Sequence, residues 1–466
     1  MHTARLIPVS YREKSSDWFT QIRHLPMPIW LDSCYPQSSY GRFDILCAAP
    51  AVKIITCGDK TTVYSPAGET TSCDAPFEIL QTCLTRNANT LTEVPFCGGA
   101  LGYFAYDLGR RLEDIPSLAK RDVELPDMCV GIYPWAIIQD HHEKKAWLVV
   151  NNALAPAYNF FDIEQICKTA SEMGVFHDLK QNDNSDEKPF KINRFKANLN
   201  VDECRQSIAK IKHYIAAGDC YQVNFAQRFS SEYEGDQYQA YLKLRESLPS
   251  PFSAYMEFEQ GAVLSLSPER FVKLKQGQAE TKPIKGTIAR GRTPEEDKAN
   301  ASELEASLKN RAENLMIVDL LRNDLSKTCV DVRVPELFRL QSFANVHHLV
   351  STVTGTLRDG ATVIDLLANS FPGGSITGAP KIRAMEIIEE LEPVRRSVYC
   401  GSIGYISACG NMDTNIAIRT LICDQQKIHC WGGGGIVADS DADNEYQESI
   451  AKVKVLLDTL ENHFGN

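Results

Sequence analysis

Residues 204–225 read CRQSIAKIKHYIAAGDCYQVNF, and two periodicities meet inside them. Cys204, Ile208, Ile211 and Ile215 recur at intervals of four, three and four. That spacing puts them on one face of an α-helix, with Gly218 following as its C-terminal cap. Tyr221-Gln222-Val223-Asn224-Phe225 then alternates strictly. Such a segment is a half-buried strand, here with Gln222 and Asn224 on the polar face. Downstream, the pattern predicts a second helix over 236–247 and strands near 252–259, 262–266 and 270–275. Gln276-Gly277 reads as a hairpin turn. Helices follow near 295–324, 380–391 and 443–462. Helices grouped with antiparallel hairpins argue for an α+β fold rather than a doubly wound parallel sheet.

Upstream, the first 175 residues or so carry short apolar segments punctuated by Gly, Pro, Asp and Ser. Ala51 to Thr56 and Ala146 to Val150 are examples, and they read as strands of antiparallel sheets. The segment 180–188 (KQNDNSDEK) has no apolar residue and precedes Pro189. It predicts a linker or surface loop over 179–194, between a β-rich N-terminal domain (1–178) and a second domain (195–466). A chain of 466 residues has the length for two or three domains.

Composition narrows the function classes. A formal net charge of −11 argues against broad binding to nucleic acid or anionic membrane, though not against a small anionic substrate in a locally cationic cleft. No apolar run approaches the roughly 18 residues that span a bilayer. Met1-His2-Thr3-Ala4-Arg5 lacks the apolar core of a secretory signal, so a cytoplasmic location is expected. The fifteen cysteines are scattered without a C-x-x-C pair, which suits reduced, buried thiols better than a disulfide framework or zinc site.

Several groups could carry chemistry. On the last helix Ile450, Val453, Leu457, Leu460 and Phe464 form an apolar stripe, while Glu445, Glu448 and Lys452 share another face. A solvated i, i+4 ion pair is the ordinary reading of that face. Before the helix stand Trp431 and the run Gly432 to Gly435, whose bare amides could cradle a carboxylate or form a flexible turn. Glu313 opens an apolar run, Leu315 to Val318, that predicts a deeply buried helix. It either caps that helix or, with Glu448, holds one hard cation such as Mg²⁺. Arg322 is a candidate partner for Asp319. The segment Phe371 to Lys381 looks like a phosphate loop, but Ala379 and Pro380 separate the last glycine from Lys381, so it fails the Walker pattern. It is a Gly-rich turn into a helix, with a substrate-facing role open to it. His347 and His348 face opposite ways on a strand. Lys285, in Pro283-Ile284-Lys285-Gly286-Thr287, is an ordinary surface lysine or, if buried, a neutral nucleophilic amine. The residues alone therefore give an α+β enzyme with a carboxylate-metal site and no substrate.

Taken together these segments resemble the chorismate-utilising enzymes, a family that includes anthranilate, aminodeoxychorismate, isochorismate and salicylate synthases. The likeness runs in family order through Ser267-Pro268-Glu269-Arg270, Pro283 to Thr287, Arg311 to Asp324, His348 to Ser351, Phe371 to Lys381, Gly401 to Tyr405, Asp413 to Thr420 and Gly432 to Lys452. The N-terminal part is similar through Trp30 to Ser33, Arg42 to Asp44 and Gly98 to Tyr103. The aminodeoxychorismate branch is the most similar. Anthranilate synthases usually have alanine where this chain has Lys285, and isochorismate and salicylate synthases have a lysine base where it has Gln222.

The resemblance implies large interlocked antiparallel sheets flanked by helices, and Mg²⁺ held by Glu313 and Glu448 against the ring carboxylate of chorismate. It implies Arg419, Lys452, amides near Gly434 and Gly435, and Tyr405 as carboxylate contacts, with Gln222, Thr287 and His348 lining the substrate site. Glu269 is implied as general acid at C4 and Lys285 as nucleophile at C2. Ammonia from a glutamine amidotransferase subunit would then give 4-amino-4-deoxychorismate, on the way to 4-aminobenzoate and folate. Some relatives hold tryptophan in an N-terminal pocket, for which Ser33, Tyr40, Arg42 and Phe43 are candidates. The nearest alternative is the first component of anthranilate synthase. A remoter one is a non-catalytic subunit that binds chorismate or tryptophan.

Overall fold

In the computed structural model, the described residues are 4–38, 41–84, 91, 93–155, 158–172, 188–342 and 346–465. The helix of residues 204–215 spans Val201–Ala217. Its first turn is closed by a reciprocal pair: the Asn200 side chain accepts from the backbone of Glu203, whose carboxylate accepts from the Asn200 amide. Gly218 ends it in the left-handed conformation (φ 86°). The alternating strand that follows is longer than expected, Gln222–Glu234. Gln222 is fully buried, so the face expected to be polar points into the protein.

The other elements fall as α+β chemistry requires. Asp236 caps the helix Gln237–Ser247, strands Phe252–Phe258, Gly261–Ser267 and Arg270–Lys275 follow, and Gln276 and Gly277 both have positive φ in the tight hairpin turn. The single helix expected over 295–324 is two, Pro294–Ala306 and Leu308–Ser326. Ser307 leaves helical geometry (ψ 107°) and its hydroxyl accepts from Asn310, capping the second helix. That second helix is buried on one face only: Ile317, Val318 and Leu321 are covered, while Leu315 is 46% exposed. Arg322 does pair with Asp319, at 2.9 Å on the surface.

Among the described residues the strands form two large sheets whose ladders are all antiparallel. The first runs Ala4–Val9, Lys145–Asn151, Trp135–Asp140, Phe43–Cys47, Ile29–Asp32, Phe252–Phe258, Gly261–Ser267, Thr420–Asp424, Lys427–Ile436, Gln222–Glu234. The second runs from Ile284–Ala289 through Val346–Leu357, Gln278–Thr281, Arg270–Lys275, Met412–Ile416 and Ser402–Ser407 into Gly99–Phe104, Met128–Tyr133 and Val52–Cys57. Each sheet crosses from the N-terminal to the C-terminal part of the sequence, by Ser253↔Asp32 to Met256↔Ile29 in one and Ser402↔Phe104 to Ser407↔Gly99 in the other. Most of the expected 179–194 linker lies outside the described residues. Between the sheets, Ile29, Ile45, Ile54, Phe104, Val130, Val263, Ile403 and Trp431 belong to one buried cluster. Each such side chain contributes about 1.5–3 kcal/mol on leaving water. No helix is long and apolar enough to cross a membrane among the described residues.

Candidate active site

Glu269 follows the strand Gly261–Ser267 and is 6% exposed. Ser267 fixes the turn: its hydroxyl donates to the Ile416 carbonyl at 2.6 Å and accepts from the Glu269 amide at 3.2 Å. Burial raises the Glu269 pKa; Lys285 is the largest opposing influence, followed by hydrogen bonds from Ser375 and the Ile284 backbone. A carboxyl so placed holds its proton more tightly than one in water, as an acid catalyst must.

Lys285 lies on the strand Ile284–Ala289, where pairing with Val346–Leu357 slips between Ile284↔Val350 and Thr287↔His348. Such a bulge re-aims side chains. Gly286 makes it feasible: its φ is 84°, and a Cβ there would sit 3.0 Å from Asn310 and Leu304. Lys285 is half-buried, and its Nζ donates to the Ser375 carbonyl at 3.0 Å. Burial lowers its pKa and Lys452 adds to the effect, while Glu269, Glu313 and Glu448 oppose. These five charged groups act on one another across one site.

Ser375 therefore bears on both residues: its carbonyl accepts from Lys285, and its side chain is among the groups that lower the Glu269 pKa. It sits in the one-turn 3₁₀ helix Gly374–Ile376, inside the Gly-rich segment that sequence reading left with an open role. Buried Arg396 holds this turn by donating to the Ile376 carbonyl at 3.0 Å. Lys381 closes its far end on buried Asp324 at 2.7 Å, so it is a structural cation and no phosphate lysine.

The glycine run is not an amide nest. Residues Gly432 to Gly435 lie in the strand Lys427–Ile436, paired with Gln222–Glu234. Their missing side chains clear space: a Cβ at Gly432 would lie 2.1 Å from the Ser449 carbonyl, and at Gly435 2.5 Å from Gln222 Nε2. At Gly434 it would lie 3.3 Å from Glu445 and Lys452 and 3.5 Å from Glu448, so those three side chains converge over that glycine. The neighbouring strand Thr420–Asp424 pairs only as far as Cys430, leaving the edge beyond it open. Asn224, opposite Gly435, sends its N–H to Thr377 instead, and the Gly433 carbonyl accepts from Lys452 at 2.9 Å. By the alternation of an antiparallel ladder, the open edge presents the backbone of Gly433 and Gly435, while that of Gly434 faces Phe225.

Three carboxylates gather beside this edge. Burial raises the pKa of Glu313, and like charge on Glu445 and Glu448 adds to it; burial likewise raises Glu445, with Glu448 adding. For Glu448 burial is outweighed by Lys452, 2.7 Å away, and its pKa is lowered. No set of three or more His, Cys, Asp or Glu is drawn into metal-ligand geometry among the described residues. Mg²⁺ needs only one or two carboxylates, with waters and substrate oxygens for the rest, so Glu313 and Glu448 suit it. Glu445, which shares its helix face with Glu448 and Lys452, is the third carboxylate here and is not singled out by the sequence as a metal ligand.

Of the remaining expected residues, Gln222 has neither side-chain nitrogen nor oxygen hydrogen-bonded, although both are buried. Thr287 Oγ1 lies 2.8 Å from His348 Nδ1, and burial, then Arg419, pushes the His348 pKa down to about 4, so this ring is neutral. Burial lowers the Arg419 pKa, with Glu269 opposing, and its guanidinium forms no ion pair or hydrogen bond among the described residues. Tyr405 is a correction. Expected as a carboxylate contact, it instead lines a separate cavity of about 490 Å³, edge-on to Phe96 at 5.6 Å. Ser33, Arg42 and Phe43 line the same cavity, while Tyr40 lies outside the described residues. Arg42 is held by Asp140 at 2.6 Å and Ser33 by Asp44 at 2.7 Å.

The sequence profile of the chorismate binding enzymes matches residues 28–458. Aminodeoxychorismate synthase component 1 of Escherichia coli (strain K12) is 45% identical over 463 residues, covering 98% of each chain. The same-named protein of Salmonella typhimurium is 44% identical, again over 98% of each. The crystal structure of anthranilate synthase component I from Streptococcus pneumoniae superposes with a TM-score of 0.78 at 32% identity, covering 90% of this chain and 92% of that one.

Proposed function

This chain belongs to the family of chorismate binding enzymes, and from that premise we infer that it aminates chorismate at C4 to give 4-amino-4-deoxychorismate, the precursor of 4-aminobenzoate for folate. Ammonia comes from a separate glutamine amidotransferase component, and the reaction runs in the cytoplasm. The observation that carries the mechanism is the Lys285 amine, donating to the Ser375 carbonyl, in one electrostatic site with the buried Glu269 carboxyl.

The ring carboxylate of chorismate meets Arg419, Lys452 and the open amides of Gly433 and Gly435. Mg²⁺, when held by Glu313 and Glu448, would add positive charge opposite that carboxylate. Glu269 gives its proton to the C4 hydroxyl, which leaves as water. The neutral Lys285 amine bonds to C2, and the two ring double bonds shift toward C4. Ammonia then bonds to C4, the double bonds shift back, and the C2–N bond breaks to return the free Lys285 amine. Glu269 regains its proton from the new ammonium group. Water is the only group lost, and the enolpyruvyl ether stays intact. Gln222 lines the site as a neutral amide, so no base stands there to activate water.

We place tryptophan in the separate cavity, against the apolar walls of Phe43, Phe252 and Tyr405. The amination reading is tested by incubating the chain with chorismate, ammonium and Mg²⁺. Pyruvate should appear only after an aminodeoxychorismate lyase is added; prompt pyruvate without it would identify anthranilate chemistry instead.

A further inference from the structure

Two thiols close to segments that line the 490 Å³ cavity are unused by this chemistry. Cys97 is buried just before the strand Gly99–Phe104, and Cys409 is half-buried in the turn joining Ser402–Ser407 to Met412–Ile416. Pairing of Gly99 with Ser407 brings the two segments together. Both sulfurs lie against one hydroxyl: Ser407 Oγ is 3.1 Å from Cys97 Sγ and 3.2 Å from Cys409 Sγ. The Cys97 amide donates to the same oxygen at 3.1 Å, which fixes that segment's position. Leu91, Glu93, Val94 and Pro95, immediately before Cys97, line the cavity, as do Tyr405 and Asn411 on either side of Cys409.

We propose that Cys97 and Cys409 are an oxidisable dithiol, at which a small-molecule disulfide or a peroxide closes an intramolecular bridge beside the cavity. With a disulfide reagent, the Cys409 thiolate attacks one reagent sulfur and releases a thiolate. Cys97 then attacks the Cys409 sulfur of the mixed disulfide and releases the second. Two thiol protons leave, and two electrons reduce the reagent. The order follows from the setting: Cys409 is only half-buried whereas Cys97 is buried, and the influence of Cys97 and the hydrogen bond to Ser407 lower the Cys409 pKa against burial. Cys97, whose pKa is raised by Cys409 and by burial, is the resolving partner. A bridge would tie the wall formed by Glu93, Val94 and Pro95 to the Tyr405 strand, so the redox state would be read in how readily the cavity opens.

The test treats the full chain with oxidised glutathione, then digests it without reduction for mass spectrometry. Expected is one cross-linked peptide pair containing Cys97 and Cys409, lighter by two hydrogens than the separate thiols. In the reduced protein, iodoacetamide should label Cys409 before the exposed Cys57 and Cys73. Oxidation should raise the thermal midpoint of the parent chain but not of Cys409→Ser or Cys97→Ser, both still able to aminate. Glutathione retained on Cys409 without the cross-link, or labelling of Cys57 or Cys73 first, would overturn the proposal.

Discussion

The Lys285 amine donates to the Ser375 carbonyl at 3.0 Å, and the side chain of that serine helps to lower the pKa of Glu269 against burial. A backbone acceptor orients the amine without adding a full negative charge, so burial can keep lowering its pKa. The turn that carries Ser375 is anchored on its C-terminal side, by Arg396 on the Ile376 carbonyl and by Lys381 on Asp324.

Glu269→Gln keeps the shape of the acid and removes its proton. Turnover with ammonia should fall by about 10²–10⁴-fold, the usual contribution of a general acid. Chorismate affinity, read by equilibrium titration, should change little. Unchanged kcat would remove Glu269 from the acid role.

The rate needs Lys285 neutral and Glu269 protonated, so kcat should rise with pH as Lys285 loses its proton and fall as Glu269 loses its own. Lys452 lowers the pKa of both groups. In Lys452→Met both limbs of the profile should therefore move to higher pH. A shift of either limb to lower pH contradicts the shared electrostatic site.

The glycines of the run should differ in what they cost. In Gly432→Ala the new Cβ would meet the Ser449 backbone at 2.1 Å, and urea unfolding should show a loss of about 1–3 kcal/mol or more. In Gly434→Ala it meets only the ends of flexible side chains at 3.3 Å or more. That variant should keep its unfolding midpoint but need more Mg²⁺ for half-maximal rate, because Glu448 and Lys452 must shift.

Glu313→Gln and Glu448→Gln should each raise the Mg²⁺ concentration for half-maximal activity, read by metal titration. Glu445→Gln discriminates between ligand and neighbour: a smaller shift makes it a neighbour that tunes the pair. Removing Mg²⁺ with a chelator should abolish turnover and leave the far-ultraviolet circular dichroism unchanged.

Local periodicity made the elements around Cys204 to Phe225 legible, because each residue's face follows from its own spacing. The joining of the sheets was not legible at that level, since the Ile29–Asp32 and Phe252–Phe258 ladder depends on register between distant segments. Ser307 broke an expected helix because its hydroxyl serves the next one, and the apolar run after Glu313 did not reveal that Leu315 is exposed. Lys285, Glu313 and Glu448 stood out as candidates by residue type and setting, whereas Glu269 entered only through the family resemblance. Tyr405 was misplaced because a motif does not state which cavity a strand residue faces. The Ser375 carbonyl and the open edge at Gly433 and Gly435 are backbone features, which leave little trace in side-chain identity.

The covalent role of Lys285 is tested most directly by mass spectrometry of the chain with chorismate and Mg²⁺ but no ammonia. Expected is a peptide carrying Lys285 with the mass of chorismate less water added, absent in Lys285→Ala, whose turnover falls while chorismate binding persists. No adduct on the parent chain, together with full turnover of Lys285→Ala, would contradict it.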